Sequence, residues 1–555
     1  MQFLPTNLKE AQARGWSELD VIIVTGDAYV DHPSFGAAII GRHLEAAGFR
    51  VGIIPQPDPA RDGDFTVLGE PRLFFGITAG NMDSMVCNYT AQRKKRNEDA
   101  YSPGGRAGLR PDRASLIYAN VLKRLYKKVP LVLGGIEASL RRLAHYDFWQ
   151  NKVRGSLLAD TKASLLVYGM AENAVVEIAR SLRDGKQANE LTELPGTVAF
   201  SPEPPSEDDL VLPDNLACAD KLTFHRMTHL FEENQHSRTL FQLNGGRWLR
   251  HNPPAKTLSR NDMDALYALP FEHAPHPRYG QQKIPAFEQI RDSLTSHRGC
   301  YGGCNFCAIS SHQGRAIQSR SADSIVNEAK SLSTRRKKAI TITDVGGPTA
   351  NMYASSCELG WPESCKRASC LYPKICPRLK SDHQEQLRLL EKLEHLPQVN
   401  HVFIASGIRH DLALRSPDYI SSLATKYTGG RLKLAPEHSV PGVLRLMGKP
   451  DVSSFEEFSR EFLHACKQAG LKRQIIPYII IGHPGTTIQD ALELRKWLIR
   501  NRLKVEQVQE FTPTPMTIST CMYYTGLDYY TGKPIHVPKP SEIRRQKELA
   551  LWHLN

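Results

Sequence analysis

Short apolar segments alternate with helical patterns through the first third of the chain, and this alternation most constrains the fold. Strand candidates rich in aliphatic and β-branched residues lie at 20–25, 51–54, 73–77, 130–133 and 164–167. Helical spacing lies between them at 37–47, 113–128 and 172–182. Buried strands joined by helices form right-handed crossovers in a parallel sheet. The sequence therefore predicts an α/β protein that begins with a parallel-sheet (Rossmann-like) domain at residues 1–185.

The alternation weakens at residues 186–285, where loop composition at 201–209 and 251–254 predicts a connector. It resumes at residue 286 with enough strand and helix candidates for a complete or partial (β/α) barrel. The strands are predicted at 292–296, 339–343, 401–405, 431–434, 475–481 and 505–511. The helices are predicted at 321–333, 382–396, 416–426, 454–469 and 487–500. We place the barrel domain at 286–526, with an insertion at 350–380 and a C-terminal tail at 527–555.

The composition is that of an ordinary globular chain, with 41% hydrophobic and 23% charged residues among 555. No basic segment followed by an apolar run opens the sequence, and no apolar stretch reaches the roughly 18 residues of a membrane span. We therefore expect a cytoplasmic protein without membrane contact. The net charge of +13 is compatible with a nucleic-acid partner and equally with scattered surface charge.

The cysteines are unevenly distributed, since seven of the 11 lie between Cys300 and Cys376. Such clustering favours metal binding, because structural disulfides are rare in a reducing compartment. Three of them, Cys300, Cys304 and Cys307, form a C-x3-C-x2-C motif in a glycine-rich loop after the first barrel strand. Thiolates are the usual protein ligands of iron–sulfur clusters, and three of them leave one iron of a four-iron cluster open. A zinc site completed by His297 or His312 is the alternative.

This motif, with an aromatic residue before its third cysteine, resembles the signature of radical SAM enzymes. The resemblance implies a [4Fe-4S] cluster on the trio and S-adenosylmethionine on the open iron. It also implies that Gly346 and Gly347, after the second barrel strand, receive the amino group of S-adenosylmethionine through their backbone, since Pro348 replaces the usual acidic residue. The other cofactor-binding residues implied are Phe306 and Gly482 beside the adenine, and Ser406 and Arg409 at the ribose and carboxylate. Ser406 and Arg409 follow the third predicted strand, whereas the family's polar motif commonly follows the fourth.

Longer segments resemble one family in particular, the YgiQ family of uncharacterised radical SAM proteins. They lie at 26–36, 88–90, 101–105, 134–139, 347–353, 434–438 and 511–515. The resemblance covers residues 18–545 and implies that the first domain is like the cobalamin-binding fold that precedes many radical SAM barrels. A histidine-bearing cobalamin loop, Asp-x-His-x-x-Gly, is not present at Asp31 and His32, which are adjacent. Other cobalamin proteins lack that histidine, so cobalamin binding stays open at this point.

A second group of four cysteines, Cys357, Cys365, Cys370 and Cys376, lies in the predicted insertion. Four thiolates can hold zinc or a second cluster, which makes this group a candidate second metal site. Their spacing matches no standard metal-binding pattern, so free cysteines in a loop are the alternative.

Together these features predict a radical SAM enzyme of unknown substrate that takes electrons from an external donor of the flavodoxin or ferredoxin type. Glu137, Glu437 and His438 lie at predicted strand or loop ends, where barrel enzymes carry proton-transfer groups, but the catalytic residues stay unknown. Two alternatives remain. One is a tRNA- or RNA-modifying methylthiotransferase-like enzyme, and the other is a non-enzymatic iron–sulfur protein that binds partners or transfers electrons.

Overall fold

The structure is a computed structural model that describes residues 2–361 and 365–553. It divides into two compact units. The first unit contains the residues up to 256, with 265–291 and 514–516. The second contains residues 257–264, 292–513 and those from 517 onward. Among the described residues, no helix has both the length and the apolar character that a membrane crossing requires.

The first unit is built on one nine-stranded sheet. Five parallel strands lie side by side in the order Val51–Pro55, Val21–Thr25, Phe74–Thr78, Leu131–Leu133 and Leu165–Val167. The sheet continues with Thr197–Phe200, Arg247–His251, Leu240–Asn244 and Leu210–Leu212. Small two-stranded pairings use Val30–Asp31 with Ala274–Pro275 and His145–Asp147 with Lys152–Arg154. The α-helices of the first 291 residues are Leu8–Ala13, Gly36–Ala46, Asp62–Thr66, Ser84–Asn88, Ala114–Leu125, Gly135–Leu140, Leu157–Thr161, Glu172–Arg183, Lys221–Asn234, Arg260–Tyr267 and Pro285–Ile290.

The extension of this sheet differs from the connector predicted at 186–285, because that segment supplies four strands to this sheet. Two of them form a hairpin that turns at Gly245 and Gly246, both with positive φ. The strands were hard to recognise in the sequence because they bury polar side chains, including Gln242, Asn244 and His251. Buried polar residues break the apolar pattern by which strands are recognised.

The second unit contains six successive parallel strand positions in chain order, which form a partial (β/α) barrel. Ser293–Thr295 pairs with Asp344–Gly346, and Ile340–Ile342 pairs with Val399–Val402. A parallel bridge between Ile408 and Leu434 joins the third strand to the fourth. Arg431–Glu437, Gln474–Ile481 and Val508–Glu510 complete the series. Shorter antiparallel pairings use His297–Arg298 with Gln318–Ser319 and Ser356–Cys357 with Leu379–Lys380.

The α-helices of the second half include one at each of the five predicted positions between the barrel strands. They are Ile309–Gln313, Ala322–Arg336, Gln384–Glu394, His410–Ala413, Pro417–Ser422, Pro441–Met447, Ser453–Gln468, Ile488–Arg500, Ile518–Thr525 and Pro540–Ala550. A π-helical turn lies at Leu423–Tyr427. Short 3₁₀ helices lie at Pro103–Gly105, Ala188–Glu190, Ala217–Ala219, Pro277–Tyr279 and Ala350–Met352. The prediction of an α/β protein with a parallel-sheet domain followed by a partial barrel is confirmed.

Helical periodicity explains how the barrel helices cover the strands. Leu389, Leu390 and Leu393 lie on one face of Gln384–Glu394 and are fully buried. A side chain repeated every three or four residues returns to the same face of a helix, so an apolar set with that spacing packs as one stripe. These leucines share one core with the barrel strands, including Ile342 and Val402.

Replacing Leu390 with alanine should destabilise the second unit by about 2–5 kcal/mol, because the lost methyl groups leave a cavity in a packed core. Leu463→Ala is the matched control, since Leu463 is 45% exposed. Its effect should stay within about 0.5 kcal/mol. Urea unfolding followed by tryptophan fluorescence measures both. Equal losses in the two variants would contradict this assignment of the core.

Candidate functional site

The loop that carries the three predicted cysteine ligands begins directly after the strand His297–Arg298. Within the loop, the amide of Cys307 donates to the carbonyl of Cys304 over 3.0 Å. The amide of Asn305 donates to the carbonyl of Met447 over 2.9 Å, and its side-chain amide donates to the carbonyl of Leu446 over 2.9 Å. Since these bonds join the loop to the helix after the fourth barrel strand, the backbone between the cysteines is fixed from that side.

The other side of the loop is held by the insertion after the second barrel strand. Gly303 has φ +60°, and a Cβ there would lie 2.5 Å from the carbonyl oxygen of Ala368, so no side chain fits. The hydroxyl of Ser369 donates to the carbonyl of Gly302 over 2.6 Å, and the amide of Cys370 donates to the carbonyl of Tyr301 over 3.0 Å. The insertion therefore forms part of the wall that shapes the cysteine loop.

The three thiols lie close enough to influence one another. Burial raises the pKa of Cys300, and the neighbouring Cys304 raises it further. Burial also raises the pKa of Cys307, to about 12, with Cys304 and Cys300 among the further causes. A Cβ on Gly302 would lie 3.3 Å from Sγ of Cys300 and 3.9 Å from Sγ of Cys304. The glycine thus keeps the space next to these sulfur atoms clear.

A buried ion pair lies against this group of thiols. The guanidinium of Arg409 donates to both carboxylate oxygens of Asp411, over 2.9 and 2.7 Å. One of its remaining nitrogens lies 3.5 Å from Sγ of Cys304. Burial alone would raise the pKa of Asp411, but the charge and hydrogen bonds of Arg409 lower it below its usual range. Arg409 therefore carries its positive charge to the cysteines at a position fixed by Asp411.

A second buried acid–base pair ends the fourth barrel strand. The carboxylate of Glu437 lies 3.8 Å from the ammonium of Lys449, which donates to the carbonyl of Ala435 over 2.7 Å. Burial raises the pKa of Glu437, with Lys449 and Arg409 opposing it. Glu437 has φ +67°, a conformation that costs on the order of 1–3 kcal/mol for a residue with a side chain. Its negative charge is also among the causes that raise the pKa of Cys307, which places Glu437 near the trio.

The residues predicted to receive the amino group and the ribose come together at the ends of the second and third strands. A Cβ on Gly346 would lie 2.5 Å from Oγ of Ser406 and 2.8 Å from a carboxylate oxygen of Asp344. The same carboxylate accepts hydrogen bonds from the amide and hydroxyl of Ser406. Gly347 packs instead against the first strand, where its Cβ would lie 2.7 Å from the ring of His297. Gly346 and Ser406 thus adjoin each other in one polar corner.

The two residues predicted beside the adenine are placed differently. Phe306 packs against a cluster that contains Val443, Met447 and Ile480. Gly482 faces the C-terminal helix, because its Cβ would lie 3.0 Å from the side chain of Ile543. Its amide donates to the side chain of Gln546 over 2.8 Å. Phe306 therefore packs beside the fifth barrel strand, and the structure does not bring Gly482 into the same cluster.

Sequence reasoning did not identify Asp344, Asp411 and Lys449 as part of this site. Asp344 and Asp411 lie two residues from predicted site residues, Gly346 and Arg409, which was the only available signal. Lys449 pairs with Glu437, which lies 12 positions earlier in the sequence. Such a pairing depends on the tertiary fold and has no spacing rule.

The donor set fits a [4Fe-4S] cluster better than a single zinc ion. Within the described ranges, no group of three or more His, Cys, Asp or Glu side chains is arranged around one ion. His297 packs against Gly347, and its Nδ1 lies 2.9 Å from Oγ of Ser296. Each cysteine of a cubane cluster binds a different iron, so its sulfur atoms need not converge on one point. Three neighbouring thiols beside a glycine and a fixed cation meet that requirement.

The second group of cysteines is also gathered in space. Burial raises the pKa of Cys370 to about 11, and Cys376, Cys365 and Cys357 each raise it further, against Arg315. The amide of Cys376 donates to the carbonyl of Cys370 over 2.7 Å. The four thiols are free and half-buried. They form a second thiol-rich region in the same insertion that holds the cysteine loop.

This fold and its cysteine site define a member of the radical SAM superfamily. A family model for the Radical SAM superfamily matches residues 294–498, and one for the Radical SAM N-terminal domain matches residues 3–293. A domain of unknown function (DUF3362) matches residues 506–551. Membership in the superfamily implies binding of iron, a [4Fe-4S] cluster and S-adenosylmethionine.

The chain belongs to the UPF0313 family, which confirms the resemblance to YgiQ-like proteins. A UPF0313 protein of Geobacter sulfurreducens is 49% identical over 565 residues, covering 100% of this chain and 93% of the relative. A UPF0313 protein of Thermotoga neapolitana is 47% identical, covering 95% of this chain and 94% of the relative.

Two solved structures share the fold at low sequence identity. The radical S-adenosylmethionine methyltransferase TsrM from Kitasatospora setae, with cobalamin and a [4Fe-4S] cluster bound, has a TM-score of 0.52 at 14% identity. That match covers 96% of this chain and 90% of TsrM. The cobalamin-dependent radical enzyme OxsB, with aqua-cobalamin bound, has a TM-score of 0.50 at 11% identity, covering 95% of this chain and 58% of OxsB. At these identities the likeness concerns the fold alone.

Replacing Arg409 with methionine should destabilise the metal-free protein by about 3–5 kcal/mol at pH 7, because Asp411 is left as a buried, unpaired carboxylate. Burial then raises the pKa of Asp411 without the charge and hydrogen bonds of Arg409 that oppose it most, so lowering the pH protonates Asp411 and restores part of the loss. Urea unfolding at pH 7 and pH 5 measures this difference from the parent protein.

The matched control for this prediction is Lys496→Met, which breaks an exposed pair with Glu493. Exposed pairs contribute about 0–1 kcal/mol. A loss in Arg409→Met no larger than in Lys496→Met would show that the Arg409–Asp411 pair does not stabilise this region.

Proposed function

We propose that this protein is a radical SAM enzyme that holds a [4Fe-4S] cluster on Cys300, Cys304 and Cys307 and acts on a substrate yet to be identified. The observation that carries the proposal is the trio of neighbouring thiols in a loop fixed from two sides, with Arg409 beside Cys304. The cluster, once reduced, supplies reductive cleavage of S-adenosylmethionine to methionine and a 5′-deoxyadenosyl radical. We propose a flavodoxin or ferredoxin as the electron donor and a cytoplasmic location.

The residues around the trio have distinct proposed roles. The backbone of Gly346 and Gly347 receives the amino group of S-adenosylmethionine, and the position of Gly346 beside Ser406 supports this role. Ser406, oriented by Asp344, faces the ribose and carboxylate. Phe306 packs beside the adenine and keeps water away from it. For Gly482, packing against Ile543 supports a role in holding the C-terminal helix to the barrel.

The two buried ion pairs have an electrostatic role in this proposal. Arg409 offsets negative charge on the thiolates, and a donor to a thiolate sulfur stabilises its charged form. Arg409 therefore serves the cluster thiolates in addition to its predicted place at the S-adenosylmethionine carboxylate. Glu437 ends the fourth strand, where the family's polar motif commonly lies, and Lys449 holds its carboxylate in place.

Replacing Cys300, Cys304 and Cys307 together with alanine should abolish both the trio's iron and the formation of 5′-deoxyadenosine. The measurement is anaerobic reconstitution, reduction with dithionite, and chromatography of the products with and without S-adenosylmethionine. Cys466→Ala is the matched control, because Cys466 is a buried thiol of the same unit that contacts the carbonyl of Ala424.

The proposal fails if the triple variant keeps full iron content and product formation. A reduced cluster that binds no S-adenosylmethionine would instead indicate the electron-transfer alternative. Salt-sensitive binding of tRNA by the active protein would favour the RNA-modifying alternative, since phosphate contacts weaken steeply with salt.

We further propose that Cys357, Cys365, Cys370 and Cys376 hold a second metal as an iron–sulfur cluster, in which each thiolate can bind its own iron. Four half-buried thiols gathered around Cys370 support this proposal, together with the contact of Cys370 with Tyr301 in the first loop. A metal here would brace the wall that shapes the cysteine trio.

The triple variant of the trio isolates this second site, because any metal it retains must bind elsewhere. We expect it to retain iron with sulfide by elemental analysis after desalting. Adding Cys370→Ser to the triple variant should remove that metal, whereas adding Cys466→Ser should not. A triple variant that carries no metal would contradict the second site.

A further inference from the structure

The strand order of the first unit defines where a ligand of this fold would bind. The five parallel strands follow the order 2-1-3-4-5, which is that of flavodoxin-like sheets. Ligands of such sheets bind at the carboxyl ends of the strands where the order reverses. Here that switch point lies between Val21–Thr25 and Phe74–Thr78. TsrM and OxsB, the two solved structures compared above, are described with cobalamin bound, so the switch point is the position to examine.

The two loops that leave the switch point close directly on each other. The amide of Gly26, which follows the first strand, donates to the carbonyl of Thr78 over 3.2 Å. A Cβ on Gly26 would lie 2.3 Å from the carbonyl oxygen of Ala79. A Cβ on Gly80 would lie 2.1 Å from a carboxylate oxygen of Asp27. The glycines at 26 and 80 allow the backbones of the two loops to approach each other this closely.

A triad of buried charged side chains lies next to this contact between the loops. Arg110 is 1% exposed, and its guanidinium lies 2.8 Å from a carboxylate oxygen of Asp27 and 3.2 Å from one of Asp99. Arg110 also donates to the carbonyl of Ala79. The other carboxylate oxygen of Asp27 accepts the amide of Asn81 over 2.7 Å. The side chains thus bond to both loops at the place where a ligand would bond to them.

The nearby side chain of His32 also makes its contacts inside the first unit. His32 is 2% exposed, and its Nδ1 accepts the amide of Ser34 over 3.1 Å. Its ring packs edge-on against His273, with 5.1 Å between the ring centroids. The adjacent Asp31 is paired with the guanidinium of Arg42. This segment therefore presents no histidine at the surface for a cobalt ion.

We infer that the first unit takes no cobalamin at its switch point, because the Asp27–Arg110–Asp99 triad occupies that position. A corrin entering there would have to expel a guanidinium and two carboxylates from a buried network, and truncating such networks is costly. The residues present do not fit the cofactor that the fold neighbours carry. The inference is independent of the proposed function, since it concerns only the first unit. It removes cobalamin-dependent methyl transfer from the reactions this chain performs through that position.

The test uses the full chain, reconstituted anaerobically and incubated with excess hydroxocobalamin or methylcobalamin before desalting. We expect no corrin absorbance and no cobalt above the protein-free blank, with iron content unchanged. We also expect the thermal unfolding midpoint to be unaffected by either cobalamin, since a ligand of the native state would raise it.

Two outcomes would show that cobalamin binds to the chain. One is close to one cobalt per chain retained after desalting. The other is a midpoint that rises with cobalamin concentration. The variant Gly80→Ala separates the switch point from other positions, because added bulk there would weaken a ligand bound between the loops. Cobalt binding that Gly80→Ala abolishes would overturn the inference directly, provided that the cobalamin-free variant keeps the thermal unfolding midpoint of the parent protein. Cobalt binding unchanged in Gly80→Ala would lie elsewhere and would leave the inference standing.

Discussion

The bond between the cysteine loop and the insertion is the contact on which the rest of the barrel site depends. The hydroxyl of Ser369 and the amide of Cys370 satisfy the carbonyls of Gly302 and Tyr301. On the opposite side, Asn305 bonds to the chain after the fourth strand. A short loop without regular structure is thereby held between two segments distant in sequence. A backbone held in this way keeps the three sulfur atoms adjacent, although they would repel one another in their charged, metal-binding form.

Charged side chains around the trio bear on the same repulsion between the thiolates. Arg409 lies beside the sulfur atom of Cys304, and Asp411 fixes its orientation by accepting two hydrogen bonds. Glu437 and Lys449 form a second pair at the end of the next strand. Burial strengthens each of these interactions, because charges in a poorly solvated region are screened less than on a surface. The site therefore combines thiols, a cation and a flanking acid–base pair in one interior.

The strands and helices could be predicted where their patterns were local. Val21–Thr25 is buried at every position, and a parallel strand of this kind reads as a continuous apolar run. The proximity of the three cysteines could be predicted because all three lie within eight residues of sequence. The hairpin at 240–251 could not be predicted, because its buried residues include the polar Gln242 and His251, which interrupt the apolar pattern of a strand. The pairings of Arg110 with Asp27 and of Lys449 with Glu437 could not be predicted either, because only the tertiary fold brings such partners together.

The close approach at Gly303 has a consequence for how this family can change over time. Its Cβ position is filled by the backbone of Ala368 and the side chain of Ser369, at 2.5 and 2.7 Å. A larger residue at 303 is tolerated only if 368 and 369 move away, and that movement breaks the bond from Ser369 to Gly302. The loop and the insertion are more than 60 positions apart in the sequence, yet a larger residue at 303 requires a compensating change in the insertion.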